Sequence, residues 1–285
     1  MIRYKHFQIF FLAVISITAL NIKAFCQNYT VLDNIEMVVS YNLTFKPDST
    51  DLDFILNEEF TLFIGSDVFQ SRSTNSLIPV LYIKDNDIEG FANDLAQGKI
   101  PMTRFNAIHY INYPKGKITT IDKLAMDEFK YTIPMESFSW TINPERKSIG
   151  SFQVQKAKLN FGGREWIAWF TTEIPISAGP YFFHGLPGLI VKISDTREHY
   201  VFELTHISKP EIFKEIEIPD KSFHAISKAE FLILRERFNR NPHANIMQSI
   251  EASGGSLTFD DPASAQRAAD EAARRRNNPI ELKAD

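Results

Sequence analysis

The chain has 285 residues, of which 44% are hydrophobic and 23% are charged. A chain of this length can bury a core without the help of disulfides or structural metals. Its formal net charge of −4 argues against a nucleic-acid partner, because binding to a phosphate backbone rests on a surplus of Lys and Arg.

The N-terminal residues have the pattern of an export signal. A basic start is followed by an apolar run from Phe7 to Ile22, which is short for a membrane-spanning helix. The small residues Ala24 and Cys26 suit cleavage after Cys26, so residues 1–26 are predicted to be a signal peptide. The alternative, a lipid-anchored Cys26, is less favoured because Phe25 is large.

Cleavage at that point changes the expected chemistry of the mature chain. It removes the single cysteine, so disulfides, thiol catalysis and cysteine-bound metals are not expected. It also leaves 28 basic residues against 35 acidic ones, a formal net charge of −7. No later segment has the roughly 20 apolar residues of a transmembrane helix. The protein is therefore expected in the periplasm, at the outer membrane or outside the cell.

The first half of the chain has mostly the alternation and the β-branched or aromatic residues of strands. The predicted strands are residues 34–45, 58–64, 68–72 and 79–83. Four short runs between Phe105 and Ile142, separated by turn signals, predict an antiparallel meander. Residues 87–97 are the exception, because apolar residues at helical spacing behind a possible Asp87 cap predict a short helix.

The second half continues the strands and adds helices. The predicted strands are residues 152–161, 165–172, 189–193 and 200–205. A capping box at Ser227-Lys228-Ala229-Glu230 predicts a helix that runs to Pro242. Asp261-Pro262 predicts a second helix to about Arg276. Its alanines bury little area, so residues 261–285 are expected to be peripheral.

These patterns predict the fold class. We expect one mainly β domain over residues 27–285, formed by a large curved antiparallel sheet or a partly open barrel with one or two packed helices. No fixed-period repeat and no low-complexity linker divides the chain.

A turn signal separates two apolar runs in the second half of the chain. Its residues are Gly185, Leu186, Pro187, Gly188, Leu189 and Ile190. Pro187 presets φ for the second position of a turn, and Gly188 is predicted to take the positive φ of the third position of a type II turn. The alternating residues that follow predict a core strand.

The same hexapeptide resembles the motif for which the GLPGLI family of secreted, Bacteroidetes-type bacterial proteins is named. Further matches are Gly163-Arg164-Glu165-Trp166, Ile174-Pro175-Ile176 and the tail Asn277 to Leu282. The resemblance implies an exported cell-envelope protein of no established activity, whose genes often lie near TonB-dependent outer-membrane receptors. It implies no catalytic residues, and no cofactor is predicted.

Three residues are candidates for a metal site: His184, His199 and Glu203. His199 and Glu203 are expected on one face of a strand, and His184 would approach from the neighbouring turn, as convergent ligands require. No two histidines have the spacing of a helical ligand pair, and scattered His–carboxylate pairs are more often surface residues. The sequence therefore predicts no bound metal and keeps this set as an alternative.

The aromatic residues near the hexapeptide raise a second question. Trp166 and Trp169 are predicted to point to opposite faces of one strand, because side chains alternate along it. One of them must therefore face something other than the main core. A sheet covered on both sides is the more common explanation. A partner surface formed with Arg164 is the alternative.

No catalytic motif is assembled by the sequence: neither a Gly-x-Ser-x-Gly elbow nor a phosphate-binding loop occurs. We therefore predict a non-enzymatic envelope protein that binds a TonB-dependent receptor or the ligand of that receptor. The alternative is a periplasmic hydrolase or metal-binding protein built on the same sheet.

Overall fold

The computed structural model describes residues 28–101, 103–252, 254 and 261–284, so the predicted signal peptide lies outside the described residues. The strands are β1 (Tyr29–Asn34), β2 (Met37–Phe45), β3 (Leu56–Ile64), β4 (Phe69–Ser73), β5 (Ile108–Ile111), β6 (Lys117–Leu124), β7 (Asp127–Pro134), β8 (Thr141–Ile149), β9 (Phe152–Phe161), β10 (Arg164–Thr171), β11 (Leu189–Asp195), β12 (Tyr200–Ser208), β13 (Glu215–Pro219) and β14 (His224–Ala225). The helices are α1 (Ile78–Lys84), α2 (Ile88–Ala96), α3 (Lys228–Arg240), α4 (Pro242–Ala252) and α5 (Pro262–Arg274). No helix in these parts of the chain has the length and apolarity needed to cross a membrane.

Twelve strands form one mixed sheet in the order β14-β7-β6-β5-β4-β3-β2-β12-β11-β10-β9-β8, and β1 pairs with β13 in a small separate sheet. Every neighbouring pair in the large sheet is antiparallel except β14 with β7. The predicted mainly β fold with a large antiparallel sheet is confirmed. The sheet does not close into a barrel, and the described residues form more helices than predicted.

The large sheet curves around the loop between β10 and β11. His109 of β5 contacts Tyr181 and Phe182 of this loop, with ring centroids 4.5 and 4.7 Å apart. Trp166 of β10 contacts Phe183 of the same loop at 4.8 Å. Five strands lie between β5 and β10 in the sheet order, so both can reach one loop only if the sheet is curved. The loop therefore fills the concave side, and its aromatic residues are core.

The sequence predicted most strands and caps correctly. The Asp87 cap of α2 and the capping box of α3 are both present. Residues 79–83 are not a strand but part of α1, where Pro79 stands in the first turn and lacks only an N–H that has no partner within the helix. Helix α4 was missed, because Pro242 begins a new helix as well as ending the previous one.

The C-terminal tail beyond α5 is partly buried, contrary to the prediction that it is peripheral. Asn278, Ile280 and Glu281 are 5%, 5% and 3% exposed. Leu282 donates its backbone N–H to the carbonyl of Gly162, in the turn between β9 and β10. The prediction failed because it was based on the alanines of α5 and not on the residues that follow them.

The turn before β11 needs a glycine for a reason other than the one predicted. Gly188 does not have a positive φ, whereas Gly185 has φ +95°. A Cβ atom on Gly188 would lie 2.0 Å from the carbonyl oxygen of Thr171 at the end of β10. The type II assignment is therefore wrong, and close backbone approach is what excludes a side chain at position 188.

We expect Gly188→Ala to lower the free energy of unfolding by about 2–3 kcal/mol, because the overlap is with backbone that is fixed by the β10–β11 pairing. Gly185→Ala serves as the comparison. At position 185 the atom nearest to the new Cβ is 3.4 Å away, in Trp140, so only the left-handed φ opposes the substitution. Gly185→Ala should therefore cost about 1 kcal/mol. Urea unfolding of both variants measures the difference, and a Gly188→Ala protein as stable as the parent would contradict the close-approach explanation.

Candidate functional site

The three predicted metal ligands lie in different environments. His184 is in the buried loop, with Nδ1 2.9 Å from the carbonyl oxygen of Phe182 and Nε2 3.0 Å from that of Met135. Burial lowers the pKa of His184, although both carbonyls favour the protonated ring. His199 is buried just before β12, and Glu203 is exposed and paired with Lys192 at 2.6 Å. The described residues form no group of three or more potential ligands around one point.

The predicted partner surface is divided between the two faces of β10. Trp166 is 1% exposed and donates its indole N–H to the carbonyl of Phe161. Trp169 is half-buried on the other face, where the Lys147 ammonium lies 3.9 Å from the centre of its ring. The prediction that the two tryptophans point to opposite faces is confirmed. Arg164 lies on the buried face with Trp166, so it forms no accessible surface with Trp169.

Arg164 anchors the C-terminal tail. It forms a buried ion pair with Asp195, in which Nη1 and Oδ2 are 2.9 Å apart. Its Nη2 donates to the Asn278 side chain at 2.6 Å, and its Nε donates to the carbonyl of Ile280 at 3.0 Å. The tail also accepts a hydrogen bond from the Tyr200 hydroxyl at the carbonyl of Asn278. Arg164 is therefore a structural residue that joins β10 to the tail.

A second set of buried polar side chains lies between the concave face and helix α3. We call it the buried polar cluster, and it consists of His109, Asp122, Tyr131, Tyr181, Lys228 and Glu281. Glu281 is its centre: it accepts a hydrogen bond from the Tyr181 hydroxyl at 2.6 Å and pairs with Lys228 at 2.5 Å. His109 bonds Thr120 through Nδ1 at 3.0 Å, while its buried Nε2 has no partner among the described residues.

The backbone at Tyr181 is strained to fit this cluster. Its φ is +60°, a left-handed value that is rare for a bulky residue. Such strain costs on the order of 1–2 kcal/mol and persists only where the surroundings impose it. Here the hydrogen bond from the Tyr181 hydroxyl to Glu281, together with the ring contacts to His109 and Phe182, holds the residue in place.

Burial shifts the pKa values of the cluster. It raises the pKa of Asp122 to about 6, with Arg235 partly offsetting the effect. Burial, aided by the charge of Lys228, lowers the pKa of His109 to about 3. Burial and the Glu281 charge raise the pKa values of Tyr181 and Tyr131. At neutral pH the imidazole and both phenols are therefore uncharged.

The cluster borders an open cleft of about 1030 Å³ between α3, α5 and the tail. We call it the α3–α5 cleft. Glu281, a member of the buried polar cluster, also lines this cleft. Arg235 lines it too and lies near the cluster, since its charge lowers the pKa values of Asp122 and Tyr181 while that of Glu281 raises them. The rest of the wall includes Arg240, Arg274 and Arg276. The site therefore has a buried, ion-paired floor and an arginine-rich wall, which suits binding of a polar small molecule.

Sequence reasoning missed this site. The capping box included Lys228 and the family resemblance included Glu281, but both were interpreted as structural signals. His109, Asp122 and Arg235 stand in separate segments with no shared motif. The only signal was compositional: a Lys in the first turn of a helix and a Glu within an otherwise apolar Pro-Ile-Glu-Leu tail are charges that a core-facing segment must pair.

We expect Asp122→Asn to change the pH dependence of stability. The unfolded carboxyl loses its proton near 3.8 and the folded one near 6, so the free energy of unfolding falls as pH rises through this window. The advantage of Asp122→Asn over the parent should therefore be about 2 kcal/mol larger at about pH 7.5 than at about pH 4. Chemical denaturation at both pH values measures it. Asp127→Asn, the same substitution at an exposed position, is the control.

Comparisons with known proteins match part of this chain. The family model described as "protein of unknown function (Porph_ging)" matches residues 163–192, which include Arg164, both tryptophans of β10 and the hexapeptide. No curated protein matches the chain. Two structures of PNGF-II, in space groups P21 and C2, are similar over 70% of this chain, with TM-scores of 0.46 and 0.47 and identities of 13% and 14%. This chain spans about a third of their length, 33% and 32%.

Proposed function

We propose that the protein is an exported, non-enzymatic binding protein of the cell envelope and that the α3–α5 cleft holds its ligand. The cleft carries the proposal, because it joins an open volume of about 1030 Å³ to a floor that contains the buried Lys228–Glu281 ion pair. Groups paired within the protein hold a fixed shape but are not available as a nucleophile or a general base. Such a site supports recognition better than chemistry.

The place of action is part of the same proposal. The basic and apolar N-terminal pattern supports export to the periplasm or the outer membrane. The hexapeptide at residues 185–190 and the family match over residues 163–192 support membership of the GLPGLI family. We propose on this basis that the protein works beside a TonB-dependent outer-membrane receptor, as a binder of the receptor or of the ligand that the receptor handles.

A cleft-filling substitution tests the proposal without altering charge. Ala273 of α5 lines the cleft, so Ala273→Trp should occupy part of it. The matched control is Ala252→Trp, at the exposed end of α4. Tagged protein is isolated from envelope extracts of its own host, and native mass spectrometry identifies what accompanies it.

The parent and Ala252→Trp are expected to carry the same small ligand or receptor, and Ala273→Trp is expected to lose it. Circular dichroism and thermal melting establish that both variants are folded. If Ala273→Trp retains the parent's companion at the parent's level, or if nothing accompanies the parent, the cleft is not the binding site and the proposal fails.

A further inference from the structure

We infer that the α3–α5 cleft recognises an oxyanion, a carboxylate or a phosphate group, on its ligand. The inference rests on the proposed function, because it specifies the chemistry of the same site. It is argued from the charges on the wall of the cleft and from which of them are already paired.

The wall of the cleft is basic although the chain as a whole is acidic. Its basic side chains are Arg235, Arg240, Arg274, Arg276 and Lys283, and its acidic ones are Glu236, Asp270 and Glu281. Five positive charges thus face three negative ones, against a formal net charge of −4 for the whole chain. A concave surface that opposes the sign of the whole protein concentrates ligands of the opposite charge.

The acidic side chains of the wall already have ion-pair or hydrogen-bond partners within the protein. Glu281 pairs with Lys228 and accepts from Tyr181, as described above. Glu236 pairs with Arg240 at 2.6 Å, one turn along α3. Asp270 accepts a hydrogen bond from Gln266 at 2.8 Å. These contacts hold all three carboxylates to neighbours on the wall or below it.

Three arginines of the wall have no such partner. No carboxylate oxygen of the described residues lies within 4.0 Å of the guanidinium nitrogens of Arg235, Arg274 or Arg276. Arg235 is half-buried, and the charges of Asp122 and Glu281 act on it from beyond the 4.0 Å of an ion pair. The guanidinium group is planar and donates paired hydrogen bonds that match carboxylate and phosphate oxygens. Unpaired arginines on two sides of one cleft are therefore suited to an oxyanion.

Arginines can also lie over aromatic rings, as Arg235 does, with its guanidinium carbon 5.9 Å from the centre of the Phe231 ring. Packing of this kind gives no reason for several arginines to converge on one cleft. It also predicts a different experimental result, since a packing arginine does not bind free anions. The two explanations are therefore separated by titration with simple ions.

The test is isothermal titration calorimetry of the mature protein with citrate, inorganic phosphate and the neutral sugar maltose. Citrate represents the carboxylate source and phosphate the phosphate source of the same chemistry. The variants are Arg274→Gln and Arg276→Gln, alone and combined, and Arg235→Gln. The controls are Arg275→Gln, whose side chain lies over Phe54, and Arg237→Gln, which lies outside this cleft.

We expect at least one of the two ions to bind, with an affinity that falls as ionic strength rises, and maltose not to bind. Arg274→Gln with Arg276→Gln should weaken the binding by about tenfold or more, because each removes charge-assisted hydrogen bonds. The two control variants should bind as the parent does. Arg235→Gln is informative only if its melting matches that of the parent, and the Arg274 and Arg276 variants decide the result if it does not.

Each contrary outcome has a distinct meaning. Equal weakening in the controls would show attraction to surface charge in general and would overturn the inference. If neither ion binds, while Ala273→Trp still loses the host-derived ligand, the oxyanion inference is wrong and the proposed function stands. If Ala273→Trp also changes nothing, the proposed function has failed as well.

Discussion

Arg164→Ala is expected to lower the free energy of unfolding by about 3–5 kcal/mol, because it leaves Asp195 buried with an uncompensated charge. Asp195 is 2% exposed, so water does not replace the lost partner. The change also removes the donors for the Asn278 side chain and for the carbonyls of Pro279 and Ile280. Buried acceptors without donors add to the cost.

Equilibrium unfolding in guanidinium chloride measures the effect. The matched control is Arg146→Ala, on the edge strand β8, where the exposed side chain donates a hydrogen bond to the Gln155 side chain at 3.2 Å. It should lose less than about 0.5 kcal/mol. Removing both charges, with Arg164→Met and Asp195→Leu, should recover part of the loss. A mild effect of Arg164→Ala would show that the ion pair does not hold the tail.

Trp166→Ala is expected to cost about 3–5 kcal/mol, and Trp169→Ala about 1 kcal/mol. Trp166 is fully buried against Phe183, so truncation leaves a large cavity in the core. Trp169 is half-buried on the outer face, and its loss removes mainly the contacts with Lys147 and Lys156. Each tryptophan thus serves as the control for the other, on the same strand.

Thermal and urea unfolding of both variants tests this difference. Equal losses would mean that the outer face of β10 is as well covered as the inner one. In that case both aromatic residues would be core, and the division of the strand into two faces would be wrong.

Local patterns in the sequence predicted local structure well. The alternation in β10 correctly predicted opposite faces for its two tryptophans, and the side chains of Asp87 and Ser227 correctly predicted where α2 and α3 begin. These features depend on residues within one turn or one strand. Their physical cause is therefore contained in a short window of sequence.

The candidate site could not be predicted in this way. The residues of its buried polar cluster come from β5, β6, β7, the β10–β11 loop, α3 and the tail, and only the curvature of the sheet brings them together. Gly188 shows the same limit at smaller scale. Its neighbour across the turn, the Thr171 carbonyl, belongs to the preceding strand, so the glycine requirement is a tertiary one that the Pro-Gly pair does not reveal.

The position of the tail has a consequence for the order of events in biogenesis. Lys228 and Tyr181 obtain their buried partner, Glu281, only from a segment near residue 281. Strand β2 likewise pairs with β12, which lies in the second half of the chain. A chain that emerges from the ribosome or a translocation channel N-terminus first thus cannot complete its interior until almost all of it has emerged. Such late closure leaves the nascent chain open until its synthesis is nearly complete.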